Sequence, residues 1–128
     1  MISLEELLSI EYPIIQGGMA RVAKAPLVAA VSEAGGLGVL GGAAMTPEEL
    51  RDQIREVRRN TSKPFGVNLM LQSEFWQDQI KVVLEEKPPV ITTGAGNPSS
   101  FMKTLKEKGI KILPLVGSAN QALLLEKA

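Results

Sequence analysis

Small residues recur at the ends of apolar, strand-like segments, where they could bind a ligand through exposed backbone. Gly17-Gly18-Met19 ends the first such segment, Gly41-Gly42 ends the second, and Gly94-Ala95-Gly96 ends the fourth. Glycine leaves backbone amides accessible and lets another group approach closely. A single glycine-rich strand end is common in ordinary turns. Three such ends indicate a surface of backbone amides and small side chains that suits a flat ligand.

Asn68 is the most informative polar residue because it lies inside the apolar segment FGVNLML. An amide buried in an apolar strand costs about 1–3 kcal/mol unless it is hydrogen-bonded. Two interpretations stay open: neighbouring backbone satisfies the amide, or the amide bonds the polar edge of a bound ring. Thr92 and Thr93 are weaker candidates, since threonine is common in strands in any case.

Few residues of the chain could support acid–base or metal chemistry, because the chain has no histidine and no cysteine. Histidine is the usual general acid or base near neutral pH, and thiolate metal sites require cysteine. Arg21 and Lys24 follow the first glycine pair and could attract an anion, although solvated surface charge explains them as well. Glu49 and Glu56 fall on a predicted helix, so the sequence predicts neither a catalytic carboxylate pair nor a metal site.

The charge balance and the hydropathy pattern exclude two classes of partner. Fourteen basic residues balance 14 acidic residues, whereas nucleic-acid binders usually carry a basic face. No apolar run approaches the roughly 18 residues that a membrane span needs. The N-terminal stretch MISLEELLSIE is acidic and amphipathic, unlike a secretory signal. We therefore expect a cytoplasmic protein with no nucleic-acid or membrane partner.

Short apolar segments alternate with longer amphipathic ones, which predicts repeated strand–helix units. Strands that are apolar on both faces suit a parallel sheet covered by helices, so the fold class is α/β with five units. We assign residues 1–128 to a single domain. The predicted strands are 13–19, 36–42, 65–71, 90–95 and 111–117, and the predicted helices are 26–34, 46–60, 73–87, 98–108 and 118–128.

Local signals place the starts of three of these helices. Thr46-Pro47-Glu48-Glu49 is a capping box with proline at the first helical position. Asn97-Pro98 is another candidate cap with proline behind it, and Ser118 and Gln121 form a third candidate pair. The spacing Gly36-x-Gly38-x-x-Gly41 formally matches a dinucleotide fingerprint, but that motif must follow a strand and open a helix. Here the motif fills a strand, so we interpret its glycines as sites of close helix–sheet packing.

Four segments resemble, in order and with sensible spacing, the N-terminal part of the nitronate monooxygenase (2-nitropropane dioxygenase) family. They are YPIIQGGMARVA, AGGLGVLGG, KPFGVNLML and VITTGAGNPS. QGGMARVA and TTGAGNPS look more like the branch of flavin-dependent enoyl-acyl-carrier-protein reductases than like the monooxygenases. The resemblance covers essentially the whole chain. It implies a TIM-type (β/α)8 barrel that binds FMN at the C-terminal ends of its strands.

The resemblance also implies a function and a set of site residues. In the reductase branch NAD(P)H gives a hydride to FMN, which passes it to the β-carbon of an enoyl thioester. In the monooxygenase branch the flavin oxidises an alkyl nitronate and oxygen reoxidises the flavin. One loop would lie beside the flavin ring, one asparagine would contact that ring, and further residues would line the opening of the same binding site. The implied cofactor-binding residues are Gly17, Gly18, Met19, Gly42, Asn68, Thr93 and Gly94.

Because the family fold has eight units and five are predicted here, we expect this chain to be the N-terminal part of a longer barrel. The family's catalytic histidine would then follow residue 128, and no catalytic residue is assigned within the chain. The first and fifth strands would be open edges, which the remaining part of the barrel or a second copy would cover. Three alternatives stay open: a natural end at this point, a complete flavodoxin-like module, and an inactive half-barrel.

Overall fold

The computed structural model describes all residues 1–128 and contains one parallel sheet of five strands. The sheet order is β1-β2-β3-β4-β5, so each strand lies beside the next one in the chain, as in consecutive units of a (β/α)8 barrel. A flavodoxin-like module would have its second strand outside its first, so that alternative is wrong. The strands are β1 Ile15–Gln16, β2 Leu37–Gly41, β3 Phe65–Met70, β4 Val90–Gly94 and β5 Lys111–Pro114.

The five predicted helices are confirmed, each with ends within one turn of the prediction. The sequence did not predict the short N-terminal helix or the 3-10 turn at Gly42–Ala44, and only two residues of the first predicted strand pair with a neighbour. None of the helices is both long and apolar enough to cross a membrane. The helices are α1 Leu4–Leu8, α2 Ala25–Glu33, α3 Pro47–Asn60, α4 Trp76–Glu86, α5 Ser99–Glu107 and α6 Ala119–Glu126.

Two of the three predicted caps are present, at Thr46 and Ser118. The third differs, because α5 begins after Pro98, which has no side-chain cap, and Asn97 Oδ1 accepts from the Ser99 amide at 3.0 Å. The Thr46 hydroxyl accepts a hydrogen bond from the Glu49 amide at 3.2 Å, and the Glu49 carboxylate accepts one from the Thr46 amide at 2.8 Å. The Ser118 hydroxyl accepts a bond from the Gln121 amide at 3.3 Å. These bonds satisfy amides that have no partner within their own helices, and they fix the first turns of α3 and α6.

The two faces of the sheet have different surroundings. One face is covered by helices and carries the main core, in which Leu40, Val67 and Ile91 are fully buried. On the other face α1 packs a smaller cluster against the first residues of the strands, with Leu8 buried against Leu37 and its neighbours. Helix α1 and this smaller cluster cover only the N-terminal half of the second face. The carboxyl ends of the strands on that face, hereafter the open face, remain accessible.

Strand β2 explains the glycines that match the dinucleotide spacing. A Cβ atom on Gly38 would lie 2.2 Å from the carbonyl oxygen of Val28 in α2, so only glycine allows this approach of helix to sheet. Gly38 and Gly41 both belong to β2, which is buried along its whole length. The motif therefore fills a strand, and the interpretation as close helix–sheet packing is confirmed at Gly38.

Three arginines of α3 surround one carboxylate of α4. Glu86 lies 2.8 Å from both Arg51 and Arg55 and 3.6 Å from Arg58, and its side chain is only 11% exposed. Burial on its own raises the pKa of the Glu86 carboxyl, but hydrogen bonds from Arg55 and Arg51 outweigh burial, and the pKa lies below its ordinary value. The ionised carboxylate thus ties α3 to α4.

Replacing Glu86 with glutamine is expected to lower the free energy of unfolding at neutral pH by about 1–2 kcal/mol, because the arginines lose a charged partner. Because the pKa is lowered in the folded state, this contribution is present above the ordinary carboxyl pKa and disappears as the pH falls through the lowered value. Urea unfolding of both proteins across the acid range measures the effect. A stability difference that stays constant with pH would contradict this assignment.

Candidate functional site

Residues from three separate segments meet at the carboxyl ends of β1, β2 and β3. A Cβ atom on Gly18 would lie 2.5 Å from the Cβ of Asn68, and one on Gly42 would lie 2.5 Å from the Asn68 carbonyl oxygen. A Cβ atom on Gly41 would lie 2.4 Å from the Met19 carbonyl oxygen. The turn after β1 therefore lies directly against β2 and β3. We call this edge of the open face the rim, formed by residues 17–19, 41–42 and 68.

The glycines near the rim divide into two kinds. Gly18 and Gly42 touch their own chain so closely that glycine is required for packing. Gly17 and Gly94 are different, because nothing lies within 4 Å of a Cβ atom built on either of them. Two glycines of the chain, Gly35 and one in a later turn, have the positive φ that favours glycine. Gly17 and Gly94 do not have it. The fold therefore does not demand glycine at positions 17 and 94, and both leave open space beside the site.

Asn68 is half-buried and satisfied at one end of its amide only. Its Oδ1 accepts a hydrogen bond from the Thr92 hydroxyl at 2.8 Å, and Thr92 is the residue directly opposite in the β3–β4 register. The Nδ2 group donates to no atom of the protein, and it is not shut away from solvent. The observed partner of the Asn68 amide is therefore a side chain, whereas the sequence suggested neighbouring backbone. The amide N–H groups remain free for a ligand.

Thr93 lies on the other face of the sheet from Asn68, because successive residues of a strand point to opposite faces. Its side chain is 1% exposed and its hydroxyl, although buried, has no hydrogen-bond partner. The predicted contact of Thr93 with a cofactor could therefore involve only its backbone. Thr92, the neighbouring residue in β4, shares the open face with Asn68 and Gly94.

Gln16 anchors the turn after β1 and was not singled out from the sequence. Its Nε2 donates to the carbonyl oxygens of Gly17 and Val39, the latter at 3.1 Å, and its Oε1 accepts from the Val39 amide at 3.3 Å. The side chain thus bonds β2 in the manner of a backbone strand and continues the ladder past the end of β1. The sequence signal for this role of Gln16 is a polar residue at the end of the apolar run PIIQ.

Gln79 anchors the turn after β2 and was also missed. It is fully buried in α4, and its Nε2 donates to the carbonyl oxygens of Gly42 at 2.7 Å and Met45 at 2.9 Å. These bonds tie the 3-10 turn that follows β2 to α4. Gln79 shares the buried side of α4 with Val82 and Val83, so an amide on an apolar helix face could have revealed its role.

The cations that follow the first glycine pair lie in a mixed-charge cleft. Arg21 and Lys24 line a cavity of about 230 Å³ together with Glu49 and Asp52. Two carboxylates in the same cleft offset the two positive charges, so this cleft is not a simple anion site. Met19, in the turn just before it, is 43% exposed and presents an apolar surface at the rim.

The rim can bind and orient a ligand, but it offers no proton-transfer group, because glycine, methionine and asparagine do not titrate near neutral pH. The FMN expected from the family resemblance fits what is present. Gly17 and Gly94 leave space for a flat ring, Asn68 offers an unused donor, and Met19 offers an apolar contact. These residues match the ring of a flavin, whose edges carry hydrogen-bond acceptors.

Comparison with known proteins identifies the same family. A family model described as nitronate monooxygenase matches residues 2–79, which is more than half of the chain. The solved structure of FabK from Thermotoga maritima is 51% identical in sequence with a TM-score of 0.94, over 97% of this chain and 40% of that chain. Nitroalkane oxidase from Streptomyces ansochromogenes is 24% identical with a TM-score of 0.89, over 98% of this chain and 46% of that one, and shares the fold.

Curated relatives agree with this assignment. A (3aS,4S,5R,7aS)-5-hydroxy-7a-methyl-1-oxo-octahydro-1H-indene-4-carboxyl-CoA dehydrogenase from Mycobacterium tuberculosis is 39% identical over 119 residues, 93% of this chain and 34% of that protein. A probable nitronate monooxygenase from Staphylococcus aureus is 34% identical over 161 residues, 98% of this chain and 45% of that protein. The chain thus spans between a third and a half of the length of these relatives. The predicted barrel fold is confirmed for the five units that the chain contains.

Proposed function

The chain belongs to the nitronate monooxygenase family, and from this premise we propose that it forms part of a flavin-dependent oxidoreductase that binds FMN at the rim. The observation that carries the proposal is the free amide N–H of Asn68 beside the unfilled space at Gly17 and Gly94. In this proposal residues 1–128 are the N-terminal part of one FMN-binding (β/α)8 domain, and its cytoplasmic location stays a prediction.

The residues of this chain bind and orient the cofactor. Asn68 Nδ2 would donate to an acceptor on the ring, Gly17 and Gly94 would leave space for the ring, and Met19 would pack against it. Gly18 would support the site by letting the turn after β1 lie against Asn68. Gly42 and the backbone of Thr93 support the same mouth. Bound FMN supplies reversible hydride and single-electron transfer, which none of these side chains can perform. No residue of the rim acts as acid or base, so proton transfer needs a group outside this set.

We propose that the substrate is an enoyl thioester, reduced with NAD(P)H as co-substrate. The enoyl-acyl-carrier-protein reductases were the branch favoured by the segments QGGMARVA and TTGAGNPS. The 51% identity to FabK exceeds the 34% identity to the probable nitronate monooxygenase, which supports this order of preference. The dehydrogenase at 39% identity is also named for a CoA thioester. Of the three reported relatives that are more than 25% identical to this chain, FabK and the dehydrogenase support thioester chemistry in this proposal.

The second candidate function is oxidation of alkyl nitronates with oxygen. It is supported by the description of the family model and by the name of the Staphylococcus aureus relative. Both functions use the same rim for the flavin, so the rim does not separate them. A third possibility, an inactive half-barrel, applies to this chain taken alone.

The open edges of the sheet need a covering partner in this proposal. Ile14 is 61% exposed and Ile15 in β1 is 38% exposed, and at the opposite end Leu123 and Leu124 of α6 are 55% and 70% exposed. Apolar side chains beside an unpaired strand favour contact with further strands. We propose the remaining part of a barrel as the cover, or failing that a second copy of the chain.

Assays of the complete gene product that contains residues 1–128 test the function. We expect the purified protein to retain FMN and to oxidise NADH or NADPH only when a short enoyl thioester is supplied. Oxygen uptake with an alkyl nitronate, without reduced nicotinamide, would instead favour the monooxygenase. A protein that retains no FMN under any of these conditions would contradict the proposal.

A further inference from the structure

We propose that Met19 is an oxidation-sensitive site of the rim, where hydrogen peroxide converts the thioether to a sulfoxide when no ligand covers it. The sulfoxide then weakens the binding of a planar ring at the rim. This second step rests on the proposed function, because the ring is that of FMN. The first step depends only on the residues of this chain.

Solvent access separates Met19 from the other methionines of residues 2–128, and a dissolved oxidant reaches exposed sulfur first. The chain has five methionines, of which Met1 is the exposed first residue. Met45 and Met102 are 5% and 4% exposed in the core, and Met70 in β3 is half-buried. Met19 is 43% exposed. Its sulfur is therefore the most accessible one apart from that of the first residue.

The backbone of Met19 is fixed, so a change in its side chain stays at the rim. The Met19 carbonyl oxygen accepts hydrogen bonds from the amides of Val22 at 3.1 Å and Ala23 at 2.8 Å. The same oxygen would lie 2.4 Å from a Cβ atom on Gly41. The turn after β1 cannot carry an altered side chain away from the rim without breaking these contacts.

The oxidation consumes one molecule of hydrogen peroxide. A lone pair of the Met19 sulfur attacks one peroxide oxygen, the O–O bond breaks, and an S–O bond forms. The hydroxide that leaves takes the proton from the sulfur-bound oxygen and becomes water. Sulfur is thus oxidised by two electrons and peroxide is reduced. Flavins undergo oxygen chemistry, in which hydrogen peroxide is a common product, so the proposed function itself provides a source of the oxidant.

The sulfoxide opposes the contact that the proposed function assigns to Met19. An apolar side chain becomes polar, and its new oxygen is a hydrogen-bond acceptor. Covering that oxygen with the face of a ring removes it from water without supplying a donor. We expect FMN binding to weaken roughly 5- to 100-fold, the range for burying a polar group without a partner. Bound FMN should in turn shield the sulfur and slow its oxidation.

Mass spectrometry of the complete gene product, freed of FMN and treated with graded hydrogen peroxide, tests the first step. Fragmentation of the peptides assigns each sulfoxide and separates Met1 from Met19. We expect the sulfoxide at Met19 to form before those at Met45 and Met102, and to form more slowly when FMN is present. Equal oxidation of Met19 and the two buried methionines would overturn the inference.

Two variants of nearly conserved side-chain volume assign the loss of affinity to one sulfur. Met19→Leu removes the thioether from the rim, and Met102→Leu is the matched control, because it removes a thioether that is buried in the core. Each protein is titrated with FMN before and after peroxide treatment, and only the change within each protein is compared. Treatment should weaken FMN binding by the wild type and by Met102→Leu, but not by Met19→Leu. A loss in Met19→Leu as large as that in the wild type would contradict the inference and assign the effect to another residue, with Met70 the next most exposed.

Reduction of the sulfoxide gives a second readout. Methionine sulfoxide reductases for both epimers should remove the added oxygen from Met19 and restore the affinity for FMN. Weak binding that persists after the oxygen is removed would show that the sulfoxide is not its cause, and the inference would fail. An untreated wild type that binds no FMN contradicts the proposed function instead, and the order of oxidation in the mass spectra still decides the first step.

Discussion

Replacing Gly38 with alanine is expected to lower the free energy of unfolding by about 3 kcal/mol or more, the upper part of the range for overpacked cores. The added Cβ atom would lie 2.2 Å from the Val28 carbonyl oxygen and 2.8 Å from the Val28 carbonyl carbon. Both atoms belong to the backbone of α2, so no side chain can rotate away to relieve the clash. Either β2 or α2 must move, and β2 is buried along its whole length.

Urea unfolding followed by circular dichroism measures this loss, and Gly94→Ala is the matched control. Both are strand glycines of the same sheet, but nothing lies within 4 Å of a Cβ atom on Gly94. The control should therefore unfold at the denaturant concentration of the wild type or slightly above it, since alanine restricts the unfolded chain. Equal stabilities for the two variants would show that α2 does not hold β2 as closely as described.

Replacing Gly94 with valine is expected to weaken FMN binding roughly 5- to 100-fold, because an overpacked contact costs about 1–3 kcal/mol and each 1.4 kcal/mol is a factor of ten. The side chain would extend from the end of β4 on the face that Asn68 and Thr92 share. That space is open in the folded chain and is assigned to the ring in our proposal. The change therefore affects the cofactor and leaves the protein's own packing in place.

Equilibrium titration with FMN, followed by quenching of flavin fluorescence, measures the affinity of this variant. The free energy of unfolding without FMN, measured on the same protein, should match that of the wild type. Gly94→Ala should lie between the wild type and Gly94→Val in affinity. Tight FMN binding by Gly94→Val would show that the ring does not occupy this side of the rim.

The order of the elements could be predicted from the sequence because local physics determines it. Apolar segments bounded by glycine and proline set the strands, and side-chain caps set the starts of α3 and α6. Asn68 could be selected because a lone amide in an apolar strand needs a partner. The short β1 was overestimated, since the glycines that follow Gln16 turn the chain away to cross the ends of β2 and β3.

The choice between Thr92 and Thr93 could not be made from the sequence. In a parallel sheet both faces of a strand are apolar, so alternation within VITTGA gives no sign of which threonine shares a face with Asn68. That relation depends on the register between β3 and β4, which pairs Asn68 with Thr92. Register is a property of two strands, and no local pattern in either strand contains it.

The sequence also does not show which glycines pack against other residues and which face open space. Gly17 and Gly18 are adjacent in the sequence, yet a Cβ atom on Gly18 would collide with Asn68, whereas nothing lies within 4 Å of a Cβ atom on Gly17. Gln79 bonds the carbonyl oxygen of Gly42 across 37 positions of the chain. Such contacts arise only when distant segments meet, and the identity of the cofactor came from the family resemblance.

The central claim is that the rim holds a planar redox cofactor, and a crystal structure of the complete gene product with FMN tests it most directly. We predict that the ring lies against residues 17–19, that Asn68 Nδ2 is within hydrogen-bonding distance of a ring acceptor, and that Gly94 faces the ring. A structure in which FMN binds elsewhere, or in which the Asn68 amide points away from it, would contradict the claim.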